Sequence, residues 1–510
     1  MVTGEHAMIS RVQLFMGESR LKKVWLTYVP YALGIGGNAG FNIALISVLT
    51  HRLMPSVYGG YTVSVTVIVL AGSVVGQWLQ QSTGRYLTGS AASASSYIKA
   101  AVLLGVGAIL MALLVLYLLT AVFLLFEPTL GDRLWLICIV AIASQVLFML
   151  VGTMLQAEQR AWSYCVQQAC SGGLKVGLSV LVSHASQRNI GGLLYAGVAA
   201  QCAGVIFGAW RVGLFDRTVW KKFRSHRVRM VFRKLQMYGG AMTLWFIFMN
   251  LAMYCDRLLV RALAGPAMAG LYGAASTLVV GSVNLVMAPI LAATWPQLMA
   301  AWNTKNERAA SKQLGDLLTY LLCAGVTLVA AVSSVAEPAT QLFLGKKYGA
   351  ASTLLPLLVA SAFSFSAGPF FHKPLEFKEN KGTMCALAAT ALLLNGLLSL
   401  LLTPWLGGIG AGIAALLAGA AYCALCTVWG RRIVKWRIRF GLLATVATLA
   451  GLMSLTTRRL AGLWTGDARL WTFLAGSLVF VALFSLGLAV VWAVQSVRKR
   501  VDQGPVSSNL

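Results

Sequence analysis

Charged side chains are scarce in this sequence, and acidic ones are the scarcest. Only 11% of its 510 residues are Asp, Glu, Lys or Arg, and Asp and Glu together number 14. Soluble domains carry about 25% charged residues, so the composition excludes a soluble globular protein. With 58% hydrophobic residues and a mean hydropathy of +0.76, the chain is predicted to be an all-α polytopic membrane protein.

Metal, redox and nucleotide motifs are also missing. The five histidines do not cluster, so no metal site can be written. The nine cysteines are spread singly, except for Cys423 and Cys426, whose position inside an apolar run favours helix packing over redox chemistry. No GxxxxGKS/T loop is present, which excludes a nucleotide-driven pump within this chain. The first 23 residues lack an apolar core, so we predict no cleaved signal peptide.

Apolar runs of about 20 residues, the length that crosses a bilayer, recur along the whole chain. We predict fourteen spans, at residues 26–49, 58–79, 99–126, 134–155, 164–184, 192–213, 237–263, 270–300, 315–335, 353–372, 383–404, 409–429, 440–457 and 471–494. An even number of spans places both ends of the chain on the same side of the membrane.

The large basic excess, a formal net charge of +27, follows this predicted topology. With the amino terminus inside, and with Lys99 and Arg211 at the span ends counted as inner, the inner segments hold 30 of the 41 Lys and Arg residues, the outer loops 8 and the spans 3. This bias is the positive-inside pattern, so we predict both termini in the cytoplasm and no nucleic acid partner. The heaviest inner segment, residues 211–236, holds nine of these cations and is predicted to lie on the anionic membrane lipids of the inner leaflet.

The motif Pro-x3-Gly-x-Tyr occurs at equivalent places in the predicted order of spans. It starts at Pro55 with Gly59 after the first span, and at Pro266 with Gly270 after the seventh, at an offset of 211 residues. We interpret the motif as a tight outer turn that could serve gating, and its repetition as duplication of a six-span unit. Six spans per unit give both halves the same orientation, as in parallel repeats.

The predicted plan is therefore two six-helix bundles with two extra C-terminal helices. Its boundaries are a cytoplasmic N-terminal segment 1–25, a first bundle 26–213, a basic linker 214–236, a second bundle 237–429, two additional helices 430–494 and a cytoplasmic tail 495–510.

The seventh span carries ionised residues where a bilayer tolerates few. Four polar residues, spaced four, three and four apart, share one helical stripe: Asn250, Tyr254, Arg257 and Arg261. A central Arg costs roughly 2.5–3.5 kcal/mol on insertion scales, so we expect the stripe to line a polar cavity. In the open alternative, the two arginines extend from the end of the span to the interface.

The fifth span carries Lys175 near its middle, with Gln168 and Ser171 on the same face. A lysine this deep does not reach the interface easily, so we expect a cavity around it. The alternative is a buried pair with Asp256, the only intramembrane acid that is a candidate partner. Asn38 and Asn42 of the first span either face the cavity or bind neighbouring helices.

Other features concern helix shape and the sign of the charge in the expected cavity. Pro289 in the eighth span suits a hinge or a cavity wall, and Gly204 and Gly208 have the GxxxG spacing of close helix packing. With Lys99, Arg211 and Asp316 assigned to the inner ends of their spans, the interior of the spans holds three cations against one acid. A cavity of that sign selects a phosphate, so we expect a large amphiphile with an anionic headgroup as substrate.

Several segments, in this order, carry a resemblance to a known family. They are RLMPSVYGGY at 52–61, Arg85, DRLLV at 256–260, GLY at 270–272 and Pro296. With these segments and a plan of six, six and two helices, the chain resembles a polysaccharide flippase of the multidrug/oligosaccharidyl-lipid/polysaccharide exporter superfamily, in the branch of O-antigen and exopolysaccharide transporters.

The resemblance implies translocation of undecaprenyl-diphosphate-linked oligosaccharide across the bacterial inner membrane, by alternating access, for surface polysaccharide or lipopolysaccharide biosynthesis. It implies a transporter without enzymatic activity or cofactor, coupled to Na+ or H+ if to any ion, and working with glycosyltransferases and a polysaccharide polymerase. On this hypothesis Lys175 and Arg257 bind phosphate, and Arg261 guards the outer mouth. Asp256 orients Arg257 or binds the coupling cation.

Three neighbouring assignments fit less well. Relatives that carry peptidoglycan precursor also have fourteen spans, but their proline-rich signature is not clear in the second span. Drug exporters of the superfamily usually have twelve spans and acid-containing cavities. A membrane polymerase or ligase needs an active site outside the membrane, and the longest predicted outer loops hold about 15 residues with few acid or base candidates.

Overall fold

The computed structural model describes residues 30–31, 33–88, 90–126, 134–185, 189–303, 307–378, 380–461, 473–481 and 485. Regular structure within these residues is helical throughout, which confirms the predicted all-α fold. Eleven described helices are long and apolar enough to cross a bilayer. Hydrocarbon offers no partner to a backbone N–H or C=O, so apolar runs of this length pair their backbone internally as helices.

The difference between fourteen predicted spans and eleven candidate helices has three separate causes. The fifth predicted span is a helix, Ala161–Ala185, but its Lys, Ser and Gln residues make it too polar to count as an apolar span. The seventh and eighth belong to one helical stretch, His226–Asn303, with a non-helical residue at Gly265. The fourteenth, 471–494, falls largely outside the described residues.

The helices are numbered here in chain order. They are α1 (Leu33–Arg52), α2 (Pro55–Leu87), α3 (Ala92–Phe126), α4 (Leu134–Ala157), α5 (Ala161–Ala185), α6 (Ile190–Val212), α7 (Arg217–Lys222), α8 (226–264), α9 (266–303), α10 (Glu307–Ser334), α11 (Ala336–Phe343), α12 (Leu355–Phe371), α13 (Lys373–Phe377), α14 (Lys381–Leu406), α15 (Gly408–Gly430) and α16 (Phe440–Ala461). A 3₁₀ helix, Lys346–Thr353, precedes α12.

The helices form two compact units. Of the described residues, the first unit holds those up to Leu53 and Gly60–Tyr254, and the second holds Met54–Gly59 and those from Cys255 onward. The first part of α8 belongs to the first unit because it packs on α2, where a Cβ on Gly239 would lie 2.1 Å from the carbonyl oxygen of Trp78. The predicted boundaries of the two six-helix bundles stay predictions.

Helix α14 shows how the sequence suits a membrane. Asn395 and Ser399 are buried, while Leu393, Leu397 and Leu401 are each more than half exposed. An apolar outer face with polar groups inside is the pattern of a helix whose surroundings are hydrocarbon. This arrangement, together with the eleven candidate spans, describes a multi-pass membrane protein.

The predicted small-residue packing is present between α4 and α6. A Cβ on Gly204 would lie 2.7 Å from the Phe148 ring, and one on Gly208 would lie 2.4 Å from a Val151 methyl. Both distances are too short for a real Cβ. The GxxxG spacing therefore brings these two helices of the first unit into close contact.

The two Pro-x3-Gly-x-Tyr motifs pack on each other inside the second unit. A Cβ on Gly59 would lie 2.2 Å from the carbonyl oxygen of Pro266, and one on Gly270 would lie 1.8 Å from the carbonyl oxygen of Pro55. Each glycine thus faces the proline of the other motif, the reciprocal contact that a local two-fold axis produces. We refer to this as the glycine contact.

The interpretation of these motifs as turns was wrong. Pro55 is the first residue of α2, and Pro266 follows the left-handed Gly265 (φ 84°) that separates α8 from α9. Proline suits the first turn of a helix, where its missing N–H has no intrahelical partner to lose. Gly59 and Gly270 lie in helices and are required for close approach rather than for turn geometry.

The interruption of this region also lies elsewhere than predicted. The non-helical backbone falls at Gly265, whereas Pro289 lies within a helical stretch. The side chain of Pro289 is outside the described residues, and its role as a hinge stays a prediction.

Candidate functional site

A polar cavity of about 420 Å³ lies within the first unit. Five helices, α1, α2, α4, α5 and α6, contribute to its wall. Its polar lining residues are Asn38, Asn42, Gln80, Gln145, Thr153, Gln156, Tyr164, Gln168, Ser171, Lys175 and Gln201. All five residues predicted on α1 and α5 are therefore brought together in one place.

Lys175 is the one cation in the described wall of this cavity, and no carboxylate is present there. Its side chain is half-buried, and it makes no hydrogen bond or ion pair with another described residue. Gly197 on α6 leaves room for it, since a Cβ there would lie 3.8 Å from Lys175 Cε. Within the described residues, its ammonium group is therefore available to a ligand in the cavity.

Side-chain amides hold much of this wall in place. Asn38 Nδ2 donates to Gln168 Oε1 at 2.7 Å, and Asn42 Nδ2 donates to Asn38 Oδ1 at 3.0 Å. On the other side, Gln201 donates to Gln145 Oε1 and accepts from the Ser144 hydroxyl. Amides both donate and accept hydrogen bonds, so the cavity offers groups suited to sugar hydroxyls beside a cation suited to phosphate.

The sequence prediction missed the glutamines from α2, α4 and α6. A single glutamine in an apolar run is a weaker signal than an ionised residue, and neither Gln145 nor Gln201 has a polar residue three or four positions away on its own helix. Gln145 and Gln201 meet in one polar cluster only because α4 and α6 pack side by side. Lone amides in otherwise apolar runs were the available signal.

Asp256 and Arg257 lie in the second unit and are both buried. The Asp256 carboxylate accepts hydrogen bonds from the Tyr272 hydroxyl and from the backbone N–H of Arg257, the latter at 2.7 Å. Tyr272 belongs to α9 and Asp256 to α8, so this carboxylate links the two helices across the Gly265 break. The role of the Asp256 carboxylate seen in the structure is to hold α8 and α9 together.

The predicted stripe on α8 changes environment along its length. Arg257 is buried, but Arg261, one turn further on, is exposed. Asn250 donates to the carbonyl oxygen of Phe246 on its own helix at 2.8 Å, and Tyr254 is half-buried. Helical spacing places the four on one face, whereas their depth in the protein differs, and their part in a cavity stays a prediction.

A second buried polar cluster, not predicted from the sequence, lies between α12 and α13. His372 Nε2 lies 2.6 Å from Glu376 Oε1, and His372 Nδ1 lies 2.9 Å from the Tyr422 hydroxyl. Lys373 Nζ donates to both Glu376 oxygens at 2.8 Å. These mutual bonds satisfy the groups that the short turn at His372 buries, so the cluster holds α13 against α15.

The described residues hold no group of three or more His, Cys, Asp or Glu that could bind a metal ion. The expectation of transport without a cofactor stays a prediction.

Solved structures of membrane transporters share this fold. The structure of the lipid II flippase MurJ in an inward closed conformation matches with a TM-score of 0.66 and 13% identity, over 92% of this chain and 99% of that one. Two structures of multidrug resistance MATE family transporters of the MOP superfamily match over 80% of this chain. The inward-facing one has a TM-score of 0.62, 14% identity and 95% coverage of its own chain, and the outward-facing one 0.53, 14% and 94%.

No known family profile matches the sequence, and neither does any curated protein. At 13–14% identity the structural likeness establishes the fold alone. The predicted exporter fold is confirmed on this basis: the protein is an all-α, multi-pass membrane protein with the fold of MurJ and the MATE transporters.

Proposed function

We propose that this protein translocates a polyprenyl-diphosphate-linked oligosaccharide across the bacterial inner membrane by alternating access, for surface polysaccharide or lipopolysaccharide assembly. The observation that carries the proposal is the unpaired Lys175 in an amide-lined cavity without a carboxylate. The structural likeness to a lipid II flippase supports lipid-linked cargo as a class. In this proposal the protein is a transporter and not an enzyme.

The cavity chemistry suits an anionic sugar-bearing headgroup. An ammonium group inside the bilayer is costly because it loses its hydration. A bound phosphate oxygen replaces the water by accepting a charge-assisted hydrogen bond. The amides of Gln145, Gln168 and Gln201 then face the sugar. The hydrocarbon tail stays in lipid. Arg257 supplies a second buried cation in the other unit, and Arg261 is assigned to the outer mouth.

An exporter of cationic drugs is the alternative that the MATE likeness raises. A cationic substrate is favoured by carboxylates in the wall, and this described wall presents Lys175 instead. Drug susceptibility of an overexpressing strain separates the two functions. Increased resistance to several organic cations, together with normal polysaccharide output in a deletion strain, would overturn the flippase assignment.

Coupling to Na+ or H+ forms a separate part of the proposal. Asp256 is the buried carboxylate to substitute first, although it already accepts two hydrogen bonds. Glycosyltransferases are the enzyme class that would build the cargo, and a polysaccharide polymerase would consume it.

The central test replaces Lys175. A hydrogen bond to a charged group contributes about 1.5–3 kcal/mol, so Lys175→Gln should weaken cargo binding by roughly 10–150-fold. Lys175→Arg keeps the charge and should retain much of the activity. The measurement is flipping of a fluorescent polyprenyl-diphosphate sugar in proteoliposomes, with surface polysaccharide as the cellular readout.

The matched control is Lys221→Gln, which removes one exposed cation from the first unit outside the cavity. It should leave flipping unchanged. Each variant must reach the membrane in equal amount. Full flipping by Lys175→Gln would reject the proposed phosphate contact.

A further inference from the structure

A second, strongly basic pocket of about 670 Å³ lies in the second unit, apart from the cavity of Lys175. It is formed by the start of α10 and by the segment that joins α15 to α16. Its charged lining residues are Glu307, Arg308, Lys312, Asp316, Arg432, Lys435, Arg437 and Arg439. Six cations against two carboxylates give the wall a net charge of +4.

The joining segment is non-helical from 435 to 439 and carries exposed cations. Trp436 is buried between the exposed Lys435 and Arg437, and its backbone N–H donates to the Val434 carbonyl oxygen at 3.2 Å. The Ser311 hydroxyl donates to the Lys435 carbonyl oxygen at 2.5 Å. At Gly315 the backbones approach so closely that a Cβ would lie 2.6 Å from the Arg437 carbonyl oxygen. The basic wall is therefore fixed by backbone contacts and a buried aromatic ring.

Most of the positive charge in this wall is not neutralised by the protein. Asp316 pairs with Arg439 at 2.6 Å. Among the described residues, the other five cations of the wall form no ion pair: Arg308, Lys312, Arg432, Lys435 and Arg437. The positive-inside bias accounts for cations on this side of the membrane, but it does not require segments 124 residues apart to converge on one concave wall. Convergent like charges are stabilised by a shared anion.

Exposed aromatic residues beside this pocket indicate its depth in the bilayer. Phe440 begins the candidate span α16 and is 71% exposed. At the end of α15, the Arg432 guanidinium lies 4.5 Å from the ring centre of the exposed Trp429. Exposed aromatic rings at the ends of spans lie at the membrane interface. The pocket is thus placed where lipid headgroup phosphates are found.

We propose that this pocket binds the phosphate of an anionic lipid headgroup. Arg308 and Arg437 offer planar guanidinium groups that bind phosphate oxygens in pairs, and Lys312 and Lys435 add point charges. The site is independent of the transport cavity. It would anchor the start of α16 to the membrane surface whatever cargo the protein carries.

The test uses the full-length protein in detergent with added phosphatidylglycerol or phosphatidylcholine, and bound lipid is counted by native mass spectrometry. The pocket variant carries Arg308→Gln, Lys312→Gln, Lys435→Gln and Arg437→Gln. The control variant removes the same types of charge from exposed positions of the second unit outside the pocket, with Lys346→Gln, Lys347→Gln, Arg458→Gln and Arg459→Gln.

We expect the pocket variant to bind phosphatidylglycerol roughly tenfold to a hundredfold more weakly than the native protein, and the control variant to bind within about twofold. Phosphatidylcholine should bind all three proteins equally. Equal losses in both variants, or no loss in the pocket variant, would overturn the proposal. Protection of the native protein from heat by inorganic phosphate as strongly as by phosphatidylglycerol would overturn the lipid assignment.

Folding is checked by the melting temperature of each protein in phosphatidylcholine. If the fourfold variant does not fold, Lys312→Gln with Lys435→Gln replaces it, against Lys346→Gln with Lys347→Gln as the control. Unchanged phosphatidylglycerol binding by that pair would also reject the site.

Discussion

Adding one methyl group at the glycine contact should destabilise the protein measurably. Cβ positions at Gly59 and Gly270 would lie 2.2 Å and 1.8 Å from the opposing carbonyl oxygens, whereas ordinary contact begins at 3.4 Å. The two backbones must therefore separate by about 1.2 Å for Gly59→Ala and about 1.6 Å for Gly270→Ala. Overpacking of this kind typically costs about 1–3 kcal/mol, and backbone atoms yield less readily than the end of a side chain.

The magnitude needs a control because alanine also favours a helix over glycine by about 0.5–1 kcal/mol. Gly396 lies in α14 of the same unit, and a Cβ there would meet nothing within 4 Å. Gly396→Ala thus reports the helix preference alone. The free energy of unfolding, measured by denaturant titration in mixed micelles, should be about 1–3 kcal/mol lower for Gly270→Ala than for Gly396→Ala.

Because the two glycines contact each other's motif, the effects of the two substitutions on the free energy of unfolding should not be additive. Once the first methyl has separated the helices, the second one meets less overlap. Gly59→Ala combined with Gly270→Ala should therefore cost less than the sum of the single changes, with a coupling of about 0.5–3 kcal/mol. Equal stability of Gly270→Ala and Gly396→Ala, or strict additivity, would refute a direct glycine contact.

Two further changes test the buried polar groups. Tyr272→Phe removes the hydroxyl that donates to Asp256, and leaving that buried oxygen unsatisfied should cost about 1–3 kcal/mol, whereas Tyr320→Phe, at an exposed ring, should cost under about 0.5 kcal/mol in the same titration. Glu376→Gln leaves the buried ammonium group of Lys373 without its carboxylate and should lower the melting temperature. Adding Lys373→Gln should then restore part of the loss, and an additive double variant would contradict the pairing.

Helical periodicity correctly predicted that the polar residues of α5 line one cavity, because their arrangement depends on a single helix. Gln168, Ser171 and Lys175 are spaced at four or fewer residues on α5, and they line the same cavity. A midspan lysine is also costly enough in hydrocarbon that its sheltered position could be expected. Which residues share a helix face follows from spacing alone.

The rest of the cavity could not be predicted in this way because it depends on which helices are neighbours. Gln145 and Gln201 bond to each other only because α4 and α6 pack closely through Gly204 and Gly208. Similarly, spacing placed Arg257 and Arg261 on one stripe but did not predict that one is buried and the other exposed. Periodicity gives the angle around a helix, not the depth of a residue in the fold.

The Pro-x3-Gly-x-Tyr motifs were wrongly interpreted as turns because proline and glycine each have more than one structural use. Both residues are common in turns, yet proline also begins helices, and glycine also permits close backbone approach. The sequence spacing of Pro266 and Gly270 is compatible with either use. Only the carbonyl oxygen of Pro55 facing Gly270 decides between them.

The glycine contact and the charged residues beside it show different degrees of symmetry between the two halves. The offset of 211 residues relates Tyr272 to Tyr61, and Asp256 to Leu45, and all four residues are buried. A reciprocal backbone contact requires glycine in both copies, because either methyl would force the helices apart. A carboxylate that bonds to Tyr272 requires only its own copy. The repeated motif therefore keeps the two helices in contact, while Asp256, Arg257 and Arg261 have no charged counterpart at the equivalent positions Leu45, Ile46 and Thr50. The helix contact thus follows the sequence repeat, and the charged residues of α8 do not.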